Sequence, residues 1–254
     1  MLLHSHSQII GERSEQQDSI AIKQWDDNKH LLTIVADGMG GGVAGGLASK
    51  TATEIFLSSF ESEIKTGAVE QALVESIQKA NDEIATLIEN DASLEGTGTT
   101  FLASYITDNK LYWISIGDSL LLFYRHGELR RLNADHSFQI ILDAQVEEGI
   151  LSPEESSRDP RRSQLFSALC GKTVPYVDLK SEPLILQSED IIISASDGIL
   201  SMPMEDINTL LEKLTECSSE QIVKEIIDVI NEIEEPGQDN TSIAVVRYKS
   251  THKT

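Results

Sequence analysis

The sequence predicts an α+β fold in which two central, mostly antiparallel sheets pack face to face and pairs of helices flank them. Three observations carry this. Short apolar runs separated by turn residues crowd the stretch from Thr99 to Leu132, as in an antiparallel meander. Two pairs of longer segments carry apolar residues at spacings of three and four, the helical period. The two kinds of element are grouped as strands, two helices, strands, two helices, strand, rather than alternating as in a parallel α/β protein. A sheet can bury only one face against helices, so about ten strands with two helical pairs suggest two sheets stacked inside helical layers.

The elements follow in order. Asp18 to Trp25 begins with alternation and reads as a strand. Leu31 to Ala36 is a second strand, nearly all apolar, and a turn around Asp26 to His30 joins them. From Val43 to Ile64 the period becomes helical, with Ala44, Leu47, Ala48, Ala52, Ile55 and Phe56 on one face. A second helix starts at Gly67, with Val69, Leu73, Ile77, Ala80 and Ile84 in its stripe. Strands return at Thr99–Thr107, Leu111–Ile116, Leu120–Tyr124 and Leu129–Leu132, with turns at Asp108-Asn109 and His126-Gly127. Phe138 to Arg162 is more polar, contains two prolines and reads as a short helix and a loop. Asp190–Ala195 is a strand, Met204–Leu214 and Ser219–Ile233 are helices, and Thr241–Tyr248 is a closing strand. With no repeat, linker or low-complexity tract, residues 1–254 read as a single domain with a variable flap at about 138–163.

Composition narrows the function classes. The net charge of -22 opposes binding to nucleic acid or to an anionic membrane surface. No apolar run reaches the length of a membrane span, and the N-terminus lacks the apolar stretch of a signal peptide. The expectation is a cytoplasmic monomer. Cys170 and Cys217 form no CxxC pair or disulfide framework, and both fall in segments that read as buried.

The chemistry lies in the aspartates. In LLTIVADGMGGG (residues 31–42) an apolar strand runs into Asp37 and a cluster of glycines, more than a turn requires, which points to a close approach of backbone. Asp118 (ISIGDS) and Asp197 (ISASDG) also follow apolar strands. Asp239, in GQDNTS, precedes the last strand, and Asp18, in QQDS, precedes the first. One such aspartate is ordinarily a turn or cap residue. Five that converge repel one another and need compensation, which hard divalent cations supply through oxygen ligands. The six histidines are scattered and no His or Cys pair has zinc-site spacing. A two-metal carboxylate site activates water and clamps developing oxyanion charge. Arg13, close upstream of Asp18, is of the residue type that binds phosphate in a bidentate fork, although alone it reads as a surface residue.

These residues carry a family resemblance. RSEQQDS (13–19), ADGMGG (36–41), GTGTT (96–100), GDS (117–119), SDG (196–198) and DNTS (239–242), with ADHS (134–137) and LFSALCG (165–171), occur in the order found in PP2C-like (PPM) metal-dependent serine/threonine protein phosphatases of bacterial type. The resemblance covers almost the whole chain. It implies an α-β-β-α sandwich, in agreement with the element order. It also implies hydrolysis of phosphoserine and phosphothreonine in proteins by a metal-activated water, without a phosphoenzyme. The cofactors implied are two core Mn²⁺ or Mg²⁺ ions and a weaker third. Residue by residue, Asp37 resembles the aspartate that bridges both core metals, and Gly38 the glycine whose carbonyl reaches one of them. Asp197 and Asp239 resemble ligands of one core metal. Asp18 resembles a supporting acid that holds metal-bound water, and Asp118 the ligand of the third metal. Arg13 resembles the arginine that binds the phosphoryl group. The implied partners are phosphorylated proteins, opposed by a serine/threonine kinase.

Three positions depart from the pattern. Gln17 stands where many members have Glu. Met39 stands where some have a histidine suited to acid catalysis. Leu120 stands where GDSR is usual, leaving an arginine missing from a surface near the site. Two other readings use the same residues: a phosphatase of a small phosphorylated metabolite, and a non-catalytic regulatory module. The second would be marked by loss of Asp37, Asp197 or Asp239, and all three are present.

Overall fold

A computed structural model describes residues 1–25, 28–65, 68–233 and 236–250. One sheet is ordered β1 (Leu2–Ile9), β11 (Thr241–Tyr248), β10 (Ile191–Ala195), β7 (Leu120–Arg125) and β8 (Glu128–Arg131). The other is ordered β2 (Asp18–Gln24), β3 (His30–Met39), β5 (Phe101–Thr107), β6 (Lys110–Ile116) and β9 (Asp178–Ile185), with the two-residue β4 (Gly98–Thr99) beside the end of β3. Every strand pair is antiparallel. Helices α1 (Gly42–Glu63) and α2 (Val69–Asn90) cover the second sheet, and α5 (Met204–Lys213) and α6 (Ser219–Ile233) the first. The α3 (Phe138–Glu147) and α4 (Pro153–Arg158) helices lie in the segment read from the sequence as the flap.

The period-two pattern of each strand explains the layers. Leu32, Ile34 and Ala36 of β3 face α1 and α2 in one core, where Phe56 packs on Phe101 with ring centroids 4.7 Å apart. Ile191, Ile193 and Ala195 of β10 face α5 and α6 in another. The alternate residues, including Leu31, Leu102, Phe123, Ile192 and Val246, fill the seam between the sheets. A one-residue slip of any central strand would exchange its two faces, so this patterning pins the register.

The expected architecture is therefore present, with corrections in detail. β1 and β9 were not expected. The β1 strand reads LLHSHSQI and is only partly buried, and β9 contains Pro183; both lie at sheet edges, where weak apolar alternation suffices. The flap holds two helices rather than one. α4 is started by Pro153 and by a capping box between Ser152 and Glu155. Asp26 and Asp27, in the expected hairpin turn, and Gly67, the expected start of the second helix, lie outside the described residues. Cys170 and Cys217 are free and half-buried rather than fully buried. Among the described residues no helix is long and apolar enough to cross a membrane.

Candidate active site

The acids come from both sheets and meet at one end of the seam. Leu31 packs in the seam, and Thr33 Oγ1 reaches across it to Ser194 Oγ at 3.0 Å. The two-residue period then places Asp37 on the same face. Asp37 does not end its strand, as expected, but lies within β3, which runs on to Met39. Asp18 is the first residue of β2, where the strand reading begins, and is paired directly with Asp37. Asp118 lies in the turn between β6 and β7, the connection that passes from one sheet to the other. Asp197 opens a one-turn helix after β10, and Asp239 precedes β11.

Glycine permits the close packing behind Asp37. A Cβ on Gly38 would lie 2.1 Å from the carbonyl oxygen of Gly45 in α1 and 2.7 Å from that of Gln17. A Cβ on Gly45 would in turn lie 2.7 Å from the Gly38 oxygen, so glycine at both positions lets strand and helix touch.

The acids perturb one another. Burial, then the charges of Asp18, Asp197, Asp118 and Asp239, raise the Asp37 carboxyl well above its ordinary range. Burial and Asp197 push Asp118 up to about 7. Burial also pushes Asp18 up to about 6, against the lowering effect of hydroxyl donors from Ser196 and Ser242, each 2.7 Å from its Oδ2. Asp197 is raised by burial and by Asp239, with the neighbouring Asp37 acting against the shift. Oδ1 of Asp18 and Oδ1 of Asp197 are buried with no hydrogen-bond partner. Buried, unpartnered carboxylate oxygens cost folding free energy unless something positive meets them.

That donor set fits hard divalent cations, because every group is oxygen and four of the five are raised by burial and mutual repulsion. Among the described residues no three carboxylate, imidazole or thiol groups are already closed round a single point. Water and the Gly38 carbonyl would complete the shells. Arg13 Nη2 donates to Asp239 Oδ2 at 2.7 Å, so the expected phosphate-binding arginine stands at the site, paired with one of the acids. Both side chains are about half exposed, and the pair is of the weak, exchangeable kind.

The departures are also placed. Gln17 Nε2 donates to the Gly42 carbonyl at 2.6 Å, so its amide clamps the loop into α1 rather than facing the acids. The main-chain oxygen of Met39 accepts a hydrogen bond from Thr97 Oγ1. Leu120 is buried against the α5 and α6 core, so position 120 is not the surface it was expected to be. The arginine near Asp118 comes instead from β8: Arg131 Nη2 donates to the Asp118 carbonyl at 2.8 Å. Spacing did not reveal this residue, because the turn and the strand that supplies it are joined through another strand. His136, of the ADHS segment, is buried beneath the same turn, accepting from Gly117 N at Nδ1 and held below its usual pKa by burial.

A cleft of about 380 Å³ runs from Asp118 and Asp197 to the flap, where Asp159, Pro160 and Arg162 line its outer wall. Arg162 pairs with Asp143 at 2.8 Å within this segment, and a ring cluster of Phe138, Phe166 and Tyr176 ties it to the chain that follows. A larger cavity, about 640 Å³, opens at the opposite end of the sandwich among Met1, Lys29, Asp108 and Tyr248. The smaller cleft is the one lined by two of the perturbed acids, Asp118 and Asp197, and the chemistry follows those groups rather than volume.

Residues 7–150 match the family described as Protein phosphatase 2C. The serine/threonine phosphatase stp of Listeria monocytogenes is 28% identical over 95% of this chain and 93% of its own. The structure of the serine/threonine phosphatase of S. agalactiae superposes with a TM-score of 0.81 at 28% identity, covering 98% of this chain and 100% of that one. The catalytic domain of the serine/threonine protein phosphatase PstP, solved with two manganese ions, superposes with a TM-score of 0.77 at 25% identity, over 98% and 100% of the two chains.

Proposed function

The chain belongs to the protein phosphatase 2C family of metal-dependent serine/threonine protein phosphatases, and on that premise we propose how its residues divide the work. Asp37, Gly38, Asp197 and Asp239 would hold two core Mn²⁺ or Mg²⁺ ions, and Asp118 and Asp197 would hold a weaker third. When bound, such cations supply an activated water and positive charge for the phosphoryl oxygens. The chain's own residues do the rest. Asp18, anchored by Ser196 and Ser242, keeps its buried second oxygen free to accept a hydrogen bond from a water among the acids. Arg13 exchanges Asp239 for the phosphoryl group of the substrate, which accepts its fork of donors. The β3 strand and the α1 helix, locked through Gly38 and Gly45, fix Asp37 so that no reorganisation accompanies the reaction. Substrates are phosphoserine and phosphothreonine in proteins, the enzyme opposes a serine/threonine kinase, and it acts as a cytoplasmic monomer.

The observation that carries this reading is the convergence of five aspartates at one end of the seam, where Asp18, Asp37, Asp118 and Asp197 have raised pKa values and Asp18 and Asp197 each keep a buried, unpartnered oxygen. The test is Asp37→Asn on a phosphothreonine peptide at saturating Mn²⁺. Turnover is expected to be nearly abolished with the fold intact. Activity within about threefold of the parent would refute the assignment.

A further inference from the structure

The turn that carries Asp118 is held from behind by one side chain. Arg131 is the last residue of β8, and its guanidinium makes four contacts. Nη2 donates to the carbonyl oxygens of Asp118 at 2.8 Å and Ser119 at 3.2 Å. Nη1 donates to Asp135 Oδ2 at 2.8 Å, and Nε to Asn133 Oδ1 at 3.3 Å. The acceptors are themselves fixed. Asp135 Oδ1 takes the N–H of Ser137 at 2.8 Å. Asn133 is buried, takes the N–H of Leu121 at 2.8 Å and donates to the Ser119 carbonyl at 2.8 Å. Arg131 is itself three-quarters buried, with a side-chain exposure of 23%.

An arginine closing an exposed edge strand needs no such arrangement, since a solvated ion pair there contributes little. Here a rigid fork meets two successive peptide oxygens and a carboxylate, a set that the flexible point charge of lysine cannot bridge. Arg131 holds Asp118 through its peptide oxygen, which leaves the carboxylate to face the cleft that Asp118 shares with Asp197. Leu120 points away into the helical core, so the turn has no cation of its own next to Ser119.

We propose that Arg131 is a positioning residue for the phosphatase reaction: it fixes the peptide of the Asp118 turn so that the Asp118 carboxylate stands beside Asp197. This rests on Asp118 being a ligand of the weaker metal, and the test separates the two ideas. Arg131→Met, Asp118→Ala and the double variant are compared in phosphopeptide turnover across a Mn²⁺ titration, and by calorimetric Mn²⁺ titration without substrate. Arg131→Met is expected to lower kcat about tenfold with KM near the parent, to shift half-maximal turnover to higher Mn²⁺, and to lose the same weak binding step that Asp118→Ala loses. The double variant is expected to be no worse than Asp118→Ala alone, because one residue acts through the other. Additive losses, or an Arg131→Met enzyme with parent kcat and parent Mn²⁺ dependence, overturn the assignment while the role of Asp118 stands. Unchanged turnover in Asp118→Ala overturns the role of Asp118, and that of Arg131 with it. If Arg131→Met does not fold, Arg131→Lys carries the test. It keeps the charge but not the fork, so the same shift in Mn²⁺ dependence is expected, and parent behaviour overturns the proposal.

Discussion

Gly38→Ala is expected to be among the most damaging one-carbon changes in the protein. The new Cβ would lie 2.1 Å from the Gly45 oxygen and 2.3 Å from the Gly45 carbonyl carbon, more than an ångström inside ordinary contact. On its other side the Gln17 oxygen, 2.7 Å away, is held by Gly38 N at 3.1 Å and by Ser49 Oγ at 2.5 Å. All of these are backbone atoms of packed elements, so no side chain can swing aside. Overpacking costs about 1–3 kcal/mol and sometimes more, and a two-sided backbone clash belongs near the top, at ~3 kcal/mol. In a chain of this size each kcal/mol shifts the melting temperature by ~2–4 °C, which gives a fall of ~6–12 °C. The clash also displaces the neighbour, Asp37, and misplacement of a reacting group by about 1 Å costs on the order of 100-fold in turnover. Gly149→Ala is the control: φ is +73° but the space is open, so only the left-handed conformation is penalised, by ~1–2 kcal/mol. The assay is calorimetric melting in chelator, so that metal binding does not enter, followed by kinetics on a phosphothreonine peptide with Mn²⁺ restored. If Gly38→Ala melts within about 2 °C of the parent with parent turnover, the close packing of β3 on α1 is not what places Asp37.

Three further predictions follow from the same contacts. Arg13→Ala should raise KM about tenfold with a smaller loss in kcat and no weakening of Mn²⁺ affinity, since it frees Asp239; an unchanged KM with weaker Mn²⁺ binding would show that the arginine serves the metal instead. The metal-free protein should become more stable as the pH falls. Asp118 at about 7, Asp18 at about 6, and the raised Asp37 and Asp197 hold protons more tightly folded than unfolded, so their penalty is present above pH 7 and is relieved as pH falls towards 4. The buried His136 and the N-terminal amine, both held low, act with the opposite sign but are two groups against four, and a urea midpoint in chelator that falls steadily from about pH 8 to pH 5 would contradict the reasoning. Asp190→Ala should cost ~3–5 kcal/mol, because it strips the bidentate partner from Arg125 at 2.7 and 2.6 Å while leaving kcat and KM unchanged; a melting temperature within about 2 °C of the parent would show that the pair contributes little.

Much of this was legible in the chain because strong local periodicity and the structure agree. The α6 helix spans Ser219–Ile233 as read, since Ile222, Val223, Ile226 and Ile230 recur at helical spacing and are all buried. The glycine cluster correctly signalled a close approach of backbone, and the aspartates beside apolar strands signalled convergence. What was illegible depends on partners distant in sequence. The β1 strand gains its place by pairing with β11 over the register Leu2↔Tyr248 to Ile9↔Thr241, and LLHSHSQI does not announce that. Arg131 lies beyond a whole strand from Asp118, and nothing in ELRR distinguishes it from Arg130, which stacks over Phe123 with its guanidinium carbon 5.3 Å from the ring centroid. The pairing of Arg13 with Asp239 joins opposite ends of the chain.

The placement of Asp18 and Asp37 on paired strands, rather than on loops, follows from what a dinuclear site requires. Carboxylates on mobile loops relieve their repulsion by moving apart, and a cation would then have to gather them again. Here Asp18 and Asp37 are locked opposite each other in a hydrogen-bonded ladder. Ser196 and Ser242 bind the outer oxygen of Asp18 while its inner oxygen stays unpartnered. The repulsion is therefore retained in the metal-free protein and appears as raised pKa values. The apolar seam and the two helical cores bear that cost, as with other local frustration at functional sites. A divalent cation that binds such a site recovers that penalty as affinity, because it neutralises charges that have nowhere else to go. The same rigidity accounts for the tight Gly38–Gly45 contact and for the fork of Arg131 behind Asp118: each removes a direction in which an aspartate could retreat.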